Sequence, residues 1–130
     1  MTYDRLKKEK DFNLVFKKGK RIQAETLGLC YIPSKQLKVG FSVGKRHGKS
    51  VVRNRLKRIL RESFRSFSQD IRENFFFVFI PKPQTPKTGE NRENLATKSQ
   101  KKTIKYGYSY DKIKMDMKYL LLKGGFIKND

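Results

Sequence analysis

Cysteine, histidine and acid are all scarce in this chain, and each scarcity closes off a chemistry. One cysteine, Cys30, among 130 residues allows neither an intramolecular disulfide nor a cysteine-based zinc cluster. It falls in the apolar run LGLCYI, where a small buried hydrophobe is the expected role. His47 is the sole histidine. A solitary imidazole in a basic loop has no orienting carboxylate near it in sequence, so contact with phosphate or solvent is expected rather than general-base work. The 12 acids are scattered among 32 Lys and Arg, leaving no paired carboxylates for acid–base or metal-assisted phosphodiester cleavage. Ser42 has no nucleophile-elbow context. No apolar run approaches the roughly 18 residues a bilayer span needs, and no apolar segment follows the basic N-terminus as it would in a signal peptide. Cytoplasmic location and no membrane partner follow as expectations, and side-chain catalysis and metal ligation are not expected.

What the chain has is positive charge. The formal balance is +20, with a pI near 10.2, which bears on partners and solubility and not on fold. The charge is uneven: residues 1–65 hold 19 cations and 5 acids, +14 of the total. It concentrates in VVRNRLKRILRESF, Val51 to Phe64. At 100° per residue Val52, Leu56, Ile59, Leu60 and Phe64 share one arc, the stripe a helix needs to dock on a sheet. Arg53, Asn54, Lys57, Arg58, Arg61 and Arg65 take the other side. A merely solvated face would mix signs, with Glu placed to support Lys at i,i+4. Glu62 is the only acid from residue 51 to 65, so repulsion along this face goes unrelieved unless a polyanion supplies the missing charge. Nucleic acid fits that requirement. Interfacial membrane binding fits poorly, because 10 Phe and 6 Tyr spread over strand-like segments describe a folded protein.

With 36% hydrophobic residues, 130 positions make one domain with a modest core. Residues 10–18 read as a helix carrying Phe12, Val15 and Phe16, ended by Gly19. Residues 21–32 read as one strand. A turn at Pro33, Ser34 and Lys35 leads to a return strand, 37–43, expected to pair antiparallel with it across so short a connection. GKRHGKS, residues 44–50, is a glycine-bracketed basic loop with Ser50 as the expected N-cap of the cationic helix. Three residues between Gly44 and Gly48, where a P-loop needs four, exclude that motif. The helix runs to about Phe67, with partial helix toward Glu73. FFFVFI, residues 75–80, is expected as a central strand buried on both faces. A Pro- and Lys-rich stretch at about 83–107 reads as a flexible insertion. A final helix, 111–123, carries Tyr110, Ile113, Met117, Leu120 and Leu121 on one face and ends at Gly124 and Gly125. The order α-β-β-α-β-insert-α is an α+β, single-domain α/β sandwich.

Phe12 and Phe16 share a helical face, and Tyr31 lies in the strand that follows. Aromatics at i,i+4 ordinarily pack inward. Flanked here by Lys17, Lys18, Lys20 and Arg21, and set beside an exposed strand face, they also suit a partly exposed platform on which unpaired bases stack.

The block KVGFSVGKRHGKSVVRNRLKRILRESFR, Lys38 to Arg65, resembles the signature of the bacterial ribonuclease P protein subunit: strand, Gly/Lys loop, then a helix with Arg-Asn-Arg and Lys-Arg. KDFNLVFKKGKR, Lys10 to Arg21, resembles the same family's first helix. The resemblance covers roughly residues 5–80 and the final helix from about Tyr108. It implies the fold of the second domain of ribosomal protein S5, with a left-handed βαβ crossover against the usual preference. It implies a ribonucleoprotein that removes the 5′ leader of precursor tRNA, with the active site and its Mg2+ in the RNA subunit and a non-catalytic protein. By the same resemblance, Arg53, Asn54, Arg55, Lys57, Arg58 and Arg61 face the catalytic RNA, with Lys45, Arg46 and Lys49 in the loop beside it. Phe12, Phe16, Tyr31 and Ser42 line a cleft for the single-stranded leader. The segment from about Pro83 to Gly107 departs from the family pattern, whose members join the last strand and helix more briefly. The other readings are a ribosomal protein or general structured-RNA binder, and a nuclease in its own right, which the missing acid–base constellation opposes.

Overall fold

A computed structural model of the chain describes residues 3–83 and 108–128, so the expected flexible insertion lies almost wholly outside the described residues. The unbroken apolar run becomes β5, Phe75–Pro81, and organises the rest. Such a strand exposes no polar face and must be flanked on both edges. β3, Leu27–Pro33, pairs antiparallel on one side with Tyr31 opposite Phe77; β4, Lys38–Phe41, pairs parallel on the other with Gly40 opposite Val78. β2, Lys20–Gln23, extends the sheet antiparallel beyond β3, and β1, Asp4–Arg5, extends it parallel beyond β4. The order is β1-β4-β5-β3-β2.

The mixed α/β sandwich is as expected, with three corrections. The segment 21–32 is not one strand: it breaks at 24–26 into the β2–β3 hairpin, where the Ala24 N–H donates to the Leu27 carbonyl. The strands before and after Pro33 run in opposite directions but are not paired, because β5 lies between them. β1 was not foreseen, being too short to show a pattern.

Helices cover the sheet unequally. α1, Glu9–Lys18, lies on one face, where Val15 meets Leu6, Cys30 and Val78. Gly19 ends it through close approach rather than a left-handed cap. Its φ is −80°, and a Cβ there would come within 2.5 Å of the Val15 carbonyl oxygen and 2.7 Å of that of Tyr31. On the other face α2, Ser50–Ser68, and α3, Tyr110–Lys123, pack over Leu27, Leu29, Val39, Phe77 and Phe79. The chain leaves helix after Ser68, short of the partial helix expected toward Glu73, and buries Ile71 instead. α2 thus crosses between the adjacent parallel strands β4 and β5. Cys30 is 1% exposed and burial pushes its thiol pKa up, as for a core hydrophobe.

A polar tie holds α3 to the hairpin. Thr26 donates through its N–H (2.8 Å) and its hydroxyl (2.5 Å) to one oxygen of Asp116, which is 6% exposed. Lys112 bridges to Glu25 at 2.7 Å and to Asp116 at 3.5 Å. Burial alone would raise the Asp116 pKa; the Thr26 bonds and Lys112 outweigh it and hold the carboxyl below its ordinary value. A depressed carboxyl contributes stability that is complete above the unfolded-state pKa of about 3.9 and drains as pH falls through the folded value. Asp116→Asn is therefore expected to destabilise at neutral pH by about 1–3 kcal/mol and to flatten the acid limb. Urea titrations from pH 7 to pH 2.5 check this: parallel acid limbs in parent and variant would remove the role.

Candidate nucleic-acid interface

α2 is oriented by its apolar stripe. Leu56, Ile59, Leu60 and Phe64 are buried, and the helical period then turns Asn54, Arg55, Lys57, Arg58 and Arg61 outward, all exposed. Val51, 76% exposed, opens the same outward face. Arg53 sits at the border, half-buried, with its Nε enclosed and without a hydrogen-bond partner. Among the described residues the ion pairs both belong to Lys112, so no carboxylate answers the α2 cations. The start of the helix sharpens this. Ser50 is the first helical residue rather than the expected cap, and Lys49 takes the cap position without a side-chain bond. No acid lies in the first turn. An uncapped, positive helix N-terminus beside Lys49 and Arg53 is a place for an anion.

Arg55 departs from the set. Its Nη1 donates to the Tyr108 carbonyl at 2.8 Å, so at least part of its guanidinium ties α2 to the lead into α3.

The basic loop has its own scaffold. Residues 45–47 form a 3₁₀ turn that leaves Lys45 and Arg46 exposed, with Lys49 exposed just beyond. His47 turns inward, 3% exposed, correcting the expectation of phosphate or solvent contact. Its Nδ1 accepts the Gly44 N–H at 2.9 Å, so Nε2 carries the proton and donates to the Pro81 carbonyl at 2.7 Å. Gly48 follows at φ +123°, in a region L side chains rarely enter, and passes the chain into α2.

The expected cleft comes together only in part. Phe12 and Phe16 lie half-buried on α1 with ring centroids 6.3 Å apart. Gly40 is the floor under Phe12: a Cβ there would lie 2.6 Å from the Phe12 Cζ. Ser42, one residue past β4, follows the alternation to the same side as Gly40. Tyr31 does not join them. It faces the α2–α3 side, edge-on to Phe75 at 5.9 Å and Phe126 at 4.9 Å, and its neighbours Cys30 and Ile32 face α1. One residue on the α1 side, Lys38, was missed, and Arg21, one of the flanking cations, joins it there. Lys38 holds its Nζ 5.9 Å over the Phe76 ring, and Arg21 donates to the Phe16 carbonyl at 3.2 Å. Counting by two from Gly40 would have placed Lys38 there, whereas Arg21 faces that side because it lies opposite Cys30 in the β2–β3 hairpin.

Comparison with known proteins bears on the family and the fold. The family model described as Ribonuclease P matches residues 2–106. The ribonuclease P protein component of Caldanaerobacter subterraneus subsp. tengcongensis is 40% identical over 78 residues, 58% of this chain and 67% of the relative. That of Alkaliphilus metalliredigens is 41% identical over 83 residues, 62% and 74%. The solved RNase P protein of Thermotoga maritima superposes with a TM-score of 0.67 at 28% identity, covering 96% of this chain and 98% of that one. The Staphylococcus aureus RNase P protein reaches 0.72 at 20% identity over 95% and 97%, a likeness of fold alone.

Arg55→Ala is expected to lower unfolding free energy by about 1 kcal/mol through loss of the Tyr108 bond, while Arg58→Ala leaves stability unchanged. Equal urea midpoints for the two variants would contradict the division of roles.

Proposed function

Because the chain belongs to the ribonuclease P protein family, as the protein subunit of that ribonucleoprotein endoribonuclease, we propose a division of labour between its two faces. The partner of the α2 face is the RNase P RNA. Arg53, Asn54, Lys57, Arg58 and Arg61, joined by Lys45, Arg46 and Lys49, neutralise closely packed phosphates of that RNA, with Arg55 contributing through the guanidinium edge not bonded to Tyr108. The carrying observation is the row of exposed cations with no carboxylate partner among the described residues. Multivalent neutralisation by fixed cations releases counterions and lets a folded RNA hold its magnesium at lower bulk concentration. Mg2+ is then held mainly by the RNA; among the described residues no group of three His, Cys, Asp or Glu gathers where a metal could sit.

The groove between α1 and the sheet takes the single-stranded 5′ leader of precursor tRNA. Phe12 and Phe16 supply stacking surface, Ser42 a polar contact and Lys38 and Arg21 charge. Tyr31 acts from behind, buttressing the sheet through Phe75 and Phe126. The reading places the protein in the bacterial cytoplasm, and no described helix is long and apolar enough to cross a membrane.

Reconstitution with a bacterial catalytic RNA tests both halves. The protein is expected to lower the magnesium needed for 5′ maturation, and Arg53→Ala and Arg58→Ala each to reduce the salt slope of RNA binding by about 1. Binding without any shift in magnesium requirement would instead describe a general structured-RNA binder. Phe16→Ala is expected to weaken leader-bearing substrate by roughly 1–3 kcal/mol while sparing mature tRNA; an equal loss for both would remove the leader assignment.

A further inference from the structure

α3 has an outer surface that packs against nothing among the described residues. Its two flanks are identified by their contacts. Lys112 and Asp116 face the β2–β3 turn through Glu25 and Thr26, and the head of the helix meets α2 through the Arg55–Tyr108 bond. At 100° per residue, Lys114 and Lys118 lie roughly 120–160° around from Lys112, on the flank toward α2. Met115 stands on the crest between the flanks, 63% exposed. Since α2 and α3 share one face of the sheet, this crest and the cationic face of α2 look outward on the same side.

Among the described residues the charges on that flank have no carboxylate partner. Lys114 and Lys118 are one turn apart, a spacing at which like charges destabilise a helix. Asp116 is taken up by Thr26 and Lys112. Asp111, the other acid of α3, is in the first turn, where it answers the helix dipole. The Lys114 ammonium lies 5.7 Å over the Tyr110 ring, a contact that orients it without neutralising it. The pattern resembles that of α2: two cations one turn apart, Lys118 exposed and Lys114 half-buried, with no carboxylate partner among the described residues. Packed helices lie about 8–10 Å apart, so a duplex phosphate backbone docked on α2 passes over α3 as well. Met115 and Tyr119, 63% and 47% exposed, are the large apolar side chains exposed on α3, a narrower stripe than an interfacial membrane helix presents.

We propose that Lys114, Met115 and Lys118 form a second contact surface for the catalytic RNA, the two lysines on phosphates and the flexible Met115 side chain against a sugar or an unpaired base. The proposal rests on α2 docking against the same RNA.

The test uses the full chain assembled with its catalytic RNA and precursor tRNA. Lys114→Ala/Lys118→Ala is expected to lower the salt slope of RNA binding by about 2 with circular dichroism and thermal midpoint unchanged. Independently, an iron chelate on Met115→Cys is expected to cleave the catalytic RNA at a confined site; the native thiol, Cys30, is buried and does not take the label. An unchanged slope in the double variant, with Arg58→Ala still lowering it, overturns the α3 surface and leaves α2 docking intact. Cleavage confined to precursor tRNA overturns the choice of partner. If Arg58→Ala is also without effect, the α2 docking fails and this surface with it.

Discussion

Phe64 meets Phe77 and Phe79 at ring-centroid distances of 5.8–6.3 Å, and the way α2 lies on the sheet follows from that contact. Phe64 is wholly buried, with Leu60 and Leu56 one and two turns before it. Removing a buried phenylalanine of this kind costs about 3–5 kcal/mol, so rotation of the helix about its axis is strongly resisted. Because a helix repeats every 3.6 residues, fixing the apolar stripe fixes the opposite stripe too. The direction in which Arg58 and Arg61 point is a consequence of aromatic packing on the other side of the helix, and it depends on β5 lying at the centre of the sheet.

The same packing lets the chain tolerate its charge. Cations one turn apart sit about 5–6 Å from each other, where two unit charges in water repel by somewhat under 1 kcal/mol before salt screens them. Each buried apolar side chain of α2 contributes about 1.5–3 kcal/mol, and four of them outweigh the repulsion. The fold therefore carries a cationic face that no carboxylate answers among the described residues, and a docked polyanion would relieve the repulsion. Affinity and salt dependence then have one origin.

Much of this was legible because it is periodic. The two stripes of α2, the buried run of β5 and the apolar face of α3 all follow from counting at 3.6 or reading an unbroken hydrophobic stretch, and the Arg-Asn-Arg block identified the family before any coordinates. What escaped was set by contacts distant in sequence. The hairpin at Ala24–Thr26 contains no glycine or proline; Asp116, 90 residues away, holds Thr26 in place. The pairing of β3 with β4 looked compelling because four residues join them, yet β5 arrives later in the chain and takes both edges. Tyr31 was assigned to the wrong face by one residue, the size of error that inverts every side chain in a strand. His47 looked like a surface imidazole because its partners, Gly44 N–H and the Pro81 carbonyl, are backbone groups that no side-chain pattern advertises.

The topology also brings the two proposed RNA surfaces to one place. β4 and β5 are parallel, so the chain leaves the carboxyl end of β4 and must cross over through α2 before returning. Ser42 sits at that carboxyl end on the α1 side, and Lys45 follows within three residues on the loop leading to α2. Openings beyond the carboxyl ends of parallel strands are where α/β folds collect ligands, and here the opening is framed by a groove wall on one side and a cationic helix on the other. His47 fastens this loop to the end of β5 through Pro81, so the spacing between groove and helix is held by the sheet itself. A leader strand lying in the groove and a catalytic RNA lying on α2 would meet at residues 42–49, and the rigidity of that short segment would set how far apart they are held.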